Sequence, residues 1–297
     1  MWQSDKVTSP IGPTDRSEPT TGPPLGGYER RHLTWEVWIV LAVTVGQSAL
    51  YSLLSLIRAL LRPIPIGSQQ TQLNPSRDAA AFWDVTYQLL SIFFGLALVA
   101  LVIFLLWEPG KSAFRRIGLD FTEIGRDAGR GILLALAIGV PGLALYAAGR
   151  ALGLTVQVQA SPLGAAWWTV PLLLLAALRA GLTEEVILIG YLFDRLRRLG
   201  WGWWSIILTT ATLRGAYHAY QGIGPIVGNF VMGVVFGWCY RRWGRVMPLV
   251  IAHTVIDIVA FIGYPLAAAL WPGLFGPAPS PTPTPTPTPT LAPTPAA

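Results

Sequence analysis

The chain has 297 residues, of which 53% are hydrophobic and only 12% are charged, with a mean hydropathy of +0.51. Soluble domains carry about twice that share of charged residues, so this composition excludes an ordinary soluble domain. The net charge of +6 does not indicate nucleic-acid binding, because the arginines are divided among the loops between apolar segments. The single cysteine, Cys239, excludes an intramolecular disulfide.

Windows of roughly 20 apolar residues with few charges recur along the chain, which is typical of membrane-spanning helices. They lie near Val37–Ile57, Val85–Leu106, Ile132–Ala148, Ala166–Ile189, Trp204–Ala219, Ile223–Tyr240 and Met247–Gly263. The sequence therefore predicts an all-α, polytopic transmembrane helical bundle of about seven spans.

Basic residues are concentrated in alternate loops between these segments. The loops after the second, fourth and sixth segments hold most of them, for example Lys111, Arg197 and Arg241. Because such residues are retained on the cytoplasmic side, we predict a cytoplasmic N-terminus and a C-terminal tail outside. After the second segment, residues Ala113–Gly131 have apolar side chains three or four positions apart with arginines between them, which predicts an amphipathic helix on the inner membrane surface.

The composition divides the chain into three parts. Residues 1–34 are polar and rich in Pro, Thr and Gly, which predicts a disordered N-terminal tail. Residues 35–275 are expected to form one transmembrane domain. Residues 276–297 contain a Pro-Thr repeat, which favours an extended, disordered tail.

Ionisable side chains inside the apolar segments are the candidate functional residues. A charge at the centre of a bilayer costs about 2.5–3.5 kcal/mol on insertion scales, so such residues are functional candidates by default. They form three sets in the C-terminal half: Glu184 with Glu185, Arg214 with His218, and His253 with Asp257.

The spacing within each set indicates where its side chains point. Members of the second and third sets are four residues apart, so each set lies on one face of a helix. Glu184 and Glu185 are adjacent and point about 100° apart, so one carboxylate can face a central cavity while its neighbour faces another helix. Adjacent glutamates after Thr183 can also complement a helix dipole, and a lone intramembrane histidine can be purely structural.

Together the three sets fit hydrolytic chemistry. A carboxylate in a site of low dielectric constant can take a proton from water, and a histidine can share that water, bind a metal or donate to an oxyanion. Water attacking a carbonyl, and hence peptide hydrolysis in the membrane, is the reaction that these groups describe. Glu184, His218, His253 and Asp257 also form a nitrogen–oxygen donor set for a divalent metal such as zinc.

The order of an adjacent glutamate pair, a histidine, and then a histidine followed four residues later by Asp or Asn resembles the CPBP family of intramembrane proteases, which includes the CAAX prenyl endopeptidases. The resemblance covers roughly residues 171–263. It implies that Glu184 activates water, with Glu185 as its neighbour, and that His218, His253 and Asp257 belong to the site. The resemblance implies a protease for which both metal-dependent and metal-independent mechanisms are considered.

Two positions depart from the family pattern. Ile189 stands where the first family motif has arginine, and Arg214 stands where the second has phenylalanine. We hypothesise that these are one change, in which the guanidinium has moved to the second helix and still faces the glutamates. Asp257 stands where the family has Asn or Asp, and an ionised aspartate cannot donate to an oxyanion. It would then be protonated, orient His253 or help to bind a metal.

The sequence thus predicts an intramembrane endopeptidase of the bacterial plasma membrane. Its expected catalytic residues are Glu184, Glu185, Arg214, His218, His253 and Asp257. A peptide or protein at the bilayer is the expected substrate, with no nucleic-acid partner. A non-enzymatic membrane adaptor or bacteriocin-immunity protein would keep the same cluster for helix packing. A proton-coupled transporter would also use such residues, but it should show internal repeats.

Overall fold

The computed structural model describes residues 25–159, 167–263, 265, 266 and 270, and these are mainly helical. The α-helices are α1 Gly27–Val43, α2 Val45–Leu60, α3 Ala81–Leu106, α4 Ala113–Ile117, α5 Ile124–Ala151, α6 Thr169–Glu185, α7 Leu192–Arg198, α8 Trp203–Tyr217, α9 Ile223–Trp243 and α10 Met247–Ile258. Strands β1 Gln70–Gln72 and β2 Gln157–Gln159 form a small parallel sheet. The fold class is therefore that of an all-α membrane protein, as the apolar pattern predicts.

Three helices within the described ranges, α3, α5 and α9, are long and apolar enough to cross a membrane. Helices α1 and α2 would count as one more span if taken together, and residues Met247–Gly263 form a shorter apolar helix. The count of seven spans and the cytoplasmic N-terminus stay predictions. Most of both predicted tails, residues 1–24 and 276–297, lies outside the described residues, but α1 begins at Gly27, within the stretch predicted as tail.

The first apolar segment is bent. Helices α1 and α2 meet at Thr44 at an angle of 47°, where the sequence predicts one continuous span. The hydroxyl of Thr44 donates to the carbonyl of Val40 at 2.5 Å. Threonine side chains that bond back to the preceding turn in this way compete with the helix backbone and bend helices.

The predicted amphipathic helix over Ala113–Gly131 is wrong as one element. Helix α4 ends at Ile117, because Gly118 adopts the left-handed conformation (φ 64°) that ends helices. A Cβ atom at Gly118 would lie 2.5 Å from the Cα of Arg245, so the chain approaches the α9–α10 connection closely here. Phe121 is 78% exposed while Ile117 is buried, so the apolar residues do not share one face.

The connection between α4 and α5 is held by Arg245. Its guanidinium donates to both carboxylate oxygens of Asp127 and to Asp120, at 2.7–3.0 Å. The pKa of Asp120 is lowered to about 2, chiefly because the Thr122 hydroxyl donates to its carboxylate and also because Arg245 lies beside it. This network replaces the surface helix that the periodicity suggests.

A second ion-pair network joins α1, α3, α4 and α7. Arg195, buried at 3% exposure, donates to Glu36 at 2.7 Å and to Asp194 at 2.9 Å. Arg116 pairs with Asp194 at 2.7 Å and with Glu108 at 2.6 Å. The pKa of Glu108 is lowered to about 2, mainly by the hydrogen bond from Arg116. These contacts fix the segment that follows the glutamate pair.

Helices α6, α8 and α10 carry the three polar sets to the centre of the bundle. Helix α10 packs against α5 and α6, and α8 packs against α9 and α2. Gly181 allows the close approach of α6 to α10, because a Cβ atom there would lie 2.6 Å from the Thr254 hydroxyl and 3.1 Å from the Val250 carbonyl. A larger residue at 181 would therefore separate the glutamates from His253.

Candidate active site

The glutamate pair lies at the end of α6, and the next six residues, Val186–Tyr191, form a π-helix. Such wide turns are rare and are frequently found at functional sites. Glu185 is fully buried, whereas the side chain of Glu184 is 18% exposed. The two carboxylates thus have different surroundings, as their adjacency on a helix predicts.

Glu185 is bound on both sides by the other two polar sets. Its Oε1 atom accepts a hydrogen bond from Arg214 Nη2 at 2.6 Å and one from His253 Nδ1 at 2.6 Å. Arg214 is 1% exposed, so this ion pair is buried at both ends. Because a carboxylate only accepts, Nδ1 of His253 carries the proton in this hydrogen bond, and Nε2 faces away from Glu185.

Glu184 is less fully engaged. Its Oε2 atom accepts a hydrogen bond from the hydroxyl of Tyr217. His253 Nε2 and Arg214 Nη1 each lie 3.8 Å from the same oxygen, beyond hydrogen-bond distance. Glu184 is also within electrostatic range of His218. It is therefore the more exposed carboxylate of the pair and the one with fewer hydrogen bonds.

The end of α8 places Tyr217 and His218 together at the site. Helix α8 ends at Tyr217, and the last carbonyls of a helix lack partners within the helix. His218 satisfies one of them, since its Nδ1 donates to the Arg214 carbonyl at 3.1 Å. The ring of His218 lies against that of Tyr217, with 4.6 Å between centroids. Nε2 is then the nitrogen of His218 that remains for chemistry.

Asp257 lies on the opposite side of His253 from Glu185. Its Oδ2 atom is 3.7 Å from His253 Nε2, and its side chain is 18% exposed. The carboxylate that accepts the hydrogen bond orienting His253 is therefore that of Glu185 and not that of Asp257. Of the roles considered for Asp257, proton-bearing donor and metal ligand are the ones that this position favours.

The six predicted site residues lie at the end of α6, at or directly after the end of α8, and along the second half of α10. The structure adds Tyr217, which the sequence analysis does not single out. Consecutive residues on a helix point about 100° apart. Assigning His218 to the site therefore argues against assigning Tyr217 to it as well. Both residues stand at the end of α8, and a tyrosine directly before a candidate histidine is the one signal available in the sequence.

Glu184, Glu185 and His253 could hold a metal ion, since one ligand atom from each lies within 4.8 Å of the others. Glu185 Oε1 already accepts two hydrogen bonds, so it is the least available of the three. Glu184 Oε2 and His253 Nε2 face each other at 3.8 Å with no hydrogen bond between them. Two ligands of one tetrahedral zinc ion lie roughly 3.4 Å apart, so this pair fits a metal with a small adjustment.

Fold and site together define a helical membrane protein whose bundle encloses a buried carboxylate–histidine–arginine cluster. Residues 166–259 match the family model described as Rce1-like, type II CAAX prenyl endopeptidase Rce1-like. This match covers about a third of the chain and supports its similarity to the CPBP/CAAX intramembrane proteases. No curated protein and no solved structure matches the chain.

Proposed function

We propose that this protein is an intramembrane endopeptidase that hydrolyses a peptide bond with a water molecule activated by Glu184. The observation that carries the proposal is the difference between the two glutamates. Glu185 is buried and paired with Arg214, whereas Glu184 is partly exposed, lies 3.8 Å from His253 Nε2 and interacts electrostatically with His218. One carboxylate is thus fixed in a supporting role, and the other is placed to accept a proton.

In the proposed reaction, Glu184 takes a proton from water as the water oxygen bonds to the substrate carbonyl carbon. When the carbon–nitrogen bond breaks, Glu184 returns that proton to the leaving amine. Nε2 of His218 and of His253 are placed to hold the water or to donate to the carbonyl oxygen as it gains charge. Tyr217 keeps Glu184 in position through its hydroxyl.

Arg214 and Glu185 act through their neighbours. Glu185 fixes the orientation of His253 by accepting from Nδ1, and Arg214 neutralises the buried charge of Glu185. Hydrogen bonds that orient a histidine in this way commonly set which ring nitrogen is available. Arg214 therefore supplies the guanidinium that Ile189 does not, in line with the hypothesis that the two departures are one change.

The residues also fit a divalent metal, and zinc is the ion that their nitrogen and oxygen atoms favour. Glu184 and His253 would hold it, with Asp257 or His218 completing the set. A bound ion would polarise the substrate carbonyl or its attacking water. Two buried atoms, Glu185 Oε2 and Arg214 Nη1, have no hydrogen-bond partner among the described residues. Both are therefore left to bind water or a polar group of the substrate.

We further propose that the substrate is a lipid-modified or leader-bearing peptide at a bacterial plasma membrane, and that the C-terminal tail lies outside. Neither the Pro-Thr repeat nor the short loops indicate a prenylated substrate in particular. The competing adaptor or immunity role would need the cluster only for helix packing, and no specific observation favours it.

The test of this function is proteolysis of a quenched-fluorescent peptide library by the purified protein in detergent, with mass spectrometry of the products. Wild type is expected to cleave a subset of peptides at a defined bond. Glu123→Gln, which removes a carboxylate outside the site, is the matched control and should leave cleavage unchanged. Full biological function together with cleavage of no peptide would instead favour the adaptor.

A further inference from the structure

Arg179 is a charged residue deep in the membrane domain that the proposed mechanism does not use. It lies ten residues after the start of α6 at Thr169, about 15 Å along the helix axis. It precedes Glu184 by five residues, or about 7.5 Å. Its side chain is half-buried, so it is neither sealed in the core nor free in solvent.

Half-buried Arg130, Arg150 and Arg197 have no carboxylate partner within the described residues, but several other buried or half-buried arginines are neutralised by carboxylates. Each of the following has a carboxylate oxygen within 3.0 Å: Arg116, Arg195, Arg214 and Arg245. In the described part of the chain, the guanidinium of Arg179 has no carboxylate within 4.0 Å and no hydrogen bond. A cation in an apolar helix of a membrane protein, with no close carboxylate among the described residues, is costly and is a candidate functional residue.

The side chain of Arg179 nevertheless packs in a defined position against α3. A Cβ atom at Gly95 of α3 would lie 2.7 Å from Cδ of Arg179 and 3.1 Å from its Cγ, so the arginine stem lies directly across that glycine. Any larger residue at position 95 would displace it. The arginine is therefore held between α3 and α6 and is not a loose surface side chain.

The packing of α6 on α10 places Arg179 at the level of Asp257. Gly181 faces Thr254, and Ala177 lies in one apolar cluster with Phe261, so the two helices run antiparallel. In sequence, Asp257 of α10 lies between Thr254 and Phe261, and Arg179 of α6 lies between Ala177 and Gly181. The two residues are therefore at the same level of the helix pair. Electrostatic interaction between Arg179 and Asp257 agrees with this placement.

We propose that Arg179 forms a subsite that binds a carboxylate of the peptide substrate, an inference that rests on the proposed function. Apart from Arg179, the three carboxylates Glu184, Glu185 and Asp257 have one arginine beside them, Arg214, so without Arg179 the site would repel an anionic group. A guanidinium with unused donors beside it can bind a carboxylate through two parallel hydrogen bonds. The carboxylate is either an acidic side chain or the C-terminus of the peptide.

The test uses a peptide that the wild-type protein cleaves, prepared in three forms: unchanged, with a C-terminal amide, and with its acidic side chains replaced by amides. Wild type is expected to cleave one of the two neutralised forms roughly tenfold or more slowly in kcat/KM, which identifies the source of the carboxylate. Arg179→Gln should lower cleavage of the unchanged peptide to the rate of that neutralised form, and leave the neutralised form within about threefold of its wild-type rate. Arg130→Gln, at a half-buried arginine stacked on Trp243, is the matched control and should keep the preference.

Equal slowing of all three forms by Arg179→Gln would overturn the subsite and assign Arg179 to general charge balance. The subsite would also be overturned if the wild-type protein cleaved all three peptide forms at the same rate. Cleavage of no peptide by wild type would overturn the proposed function, and the subsite with it. If Arg179→Gln does not fold, the same comparison is made with Arg179→Lys. A reduced preference for the peptide that carries the carboxylate supports the subsite, and an unchanged preference contradicts it.

Discussion

Replacement of Arg214 by methionine tests the buried ion pair at the centre of the site. Methionine keeps most of the stem but removes the guanidinium that donates to Glu185 at 2.6 Å. Both partners are at most 1% exposed, and removing one member of such a pair leaves the other charge uncompensated. That loss typically costs about 3–5 kcal/mol, which is a large part of the roughly 5–15 kcal/mol that stabilises a folded protein.

The measurement is denaturant unfolding in detergent micelles, followed by tryptophan fluorescence, beside an assay of peptide cleavage. Arg126→Met is the matched control, since Arg126 pairs with Glu123 at 2.8 Å but is 62% exposed. Loss of an exposed pair should cost at most about 1 kcal/mol. If Arg214→Met were as stable as the control and cleaved peptide at the wild-type rate, the assigned role of the pair would be refuted.

Three further predictions follow from single contacts. Tyr217→Phe should lower kcat/KM roughly tenfold to a hundredfold, because the general base loses its hydrogen bond; no loss in a steady-state assay would contradict this. Arg214→Phe should inactivate the protein, and adding Ile189→Arg should restore part of the cleavage; full activity of the single variant would refute the hypothesis of one relocated arginine. Arg116 lowers the pKa of Glu108 to about 2 from 4.5, so the stability that Glu108 contributes is present above about pH 4.5 and is lost as the pH falls toward 2. Thermal unfolding of wild type and Glu108→Gln should therefore differ at pH 6 and differ clearly less at pH 2.5, and a difference that does not shrink would contradict the assignment.

The fold class follows from the sequence because long apolar windows have few alternatives to membrane helices. Local breaks do not follow so easily. The bend at Thr44 accompanies a side-chain bond back to Val40, and α4 ends where Gly118 adopts the left-handed conformation and the chain packs closely on Arg245. Apolar periodicity predicts which faces a helix would have, but it does not predict where such a local break interrupts the helix.

The candidate site is predictable to a greater degree, because polar residues in apolar segments are costly and hence few. The spacing of His253 and Asp257 places them on one face, but it does not show that Glu185 would take the hydrogen bond that orients His253. Tyr217 is missed for a different reason, since no spacing in the sequence predicts that its hydroxyl would donate to Glu184 on another helix. Pairings between helices, and helix ends, are what the sequence alone leaves undetermined.

The central claim is that Glu184 activates the water that hydrolyses the substrate. The most direct measurement is the ratio of kcat/KM for wild type and Glu184→Gln on one peptide that wild type cleaves, with both proteins purified in the same detergent and shown to unfold at the same temperature. The account predicts a loss of about a hundredfold to ten-thousandfold, which is the contribution typical of a positioned general base. A ratio within a few-fold of one would contradict the claim and move the catalytic role away from Glu184.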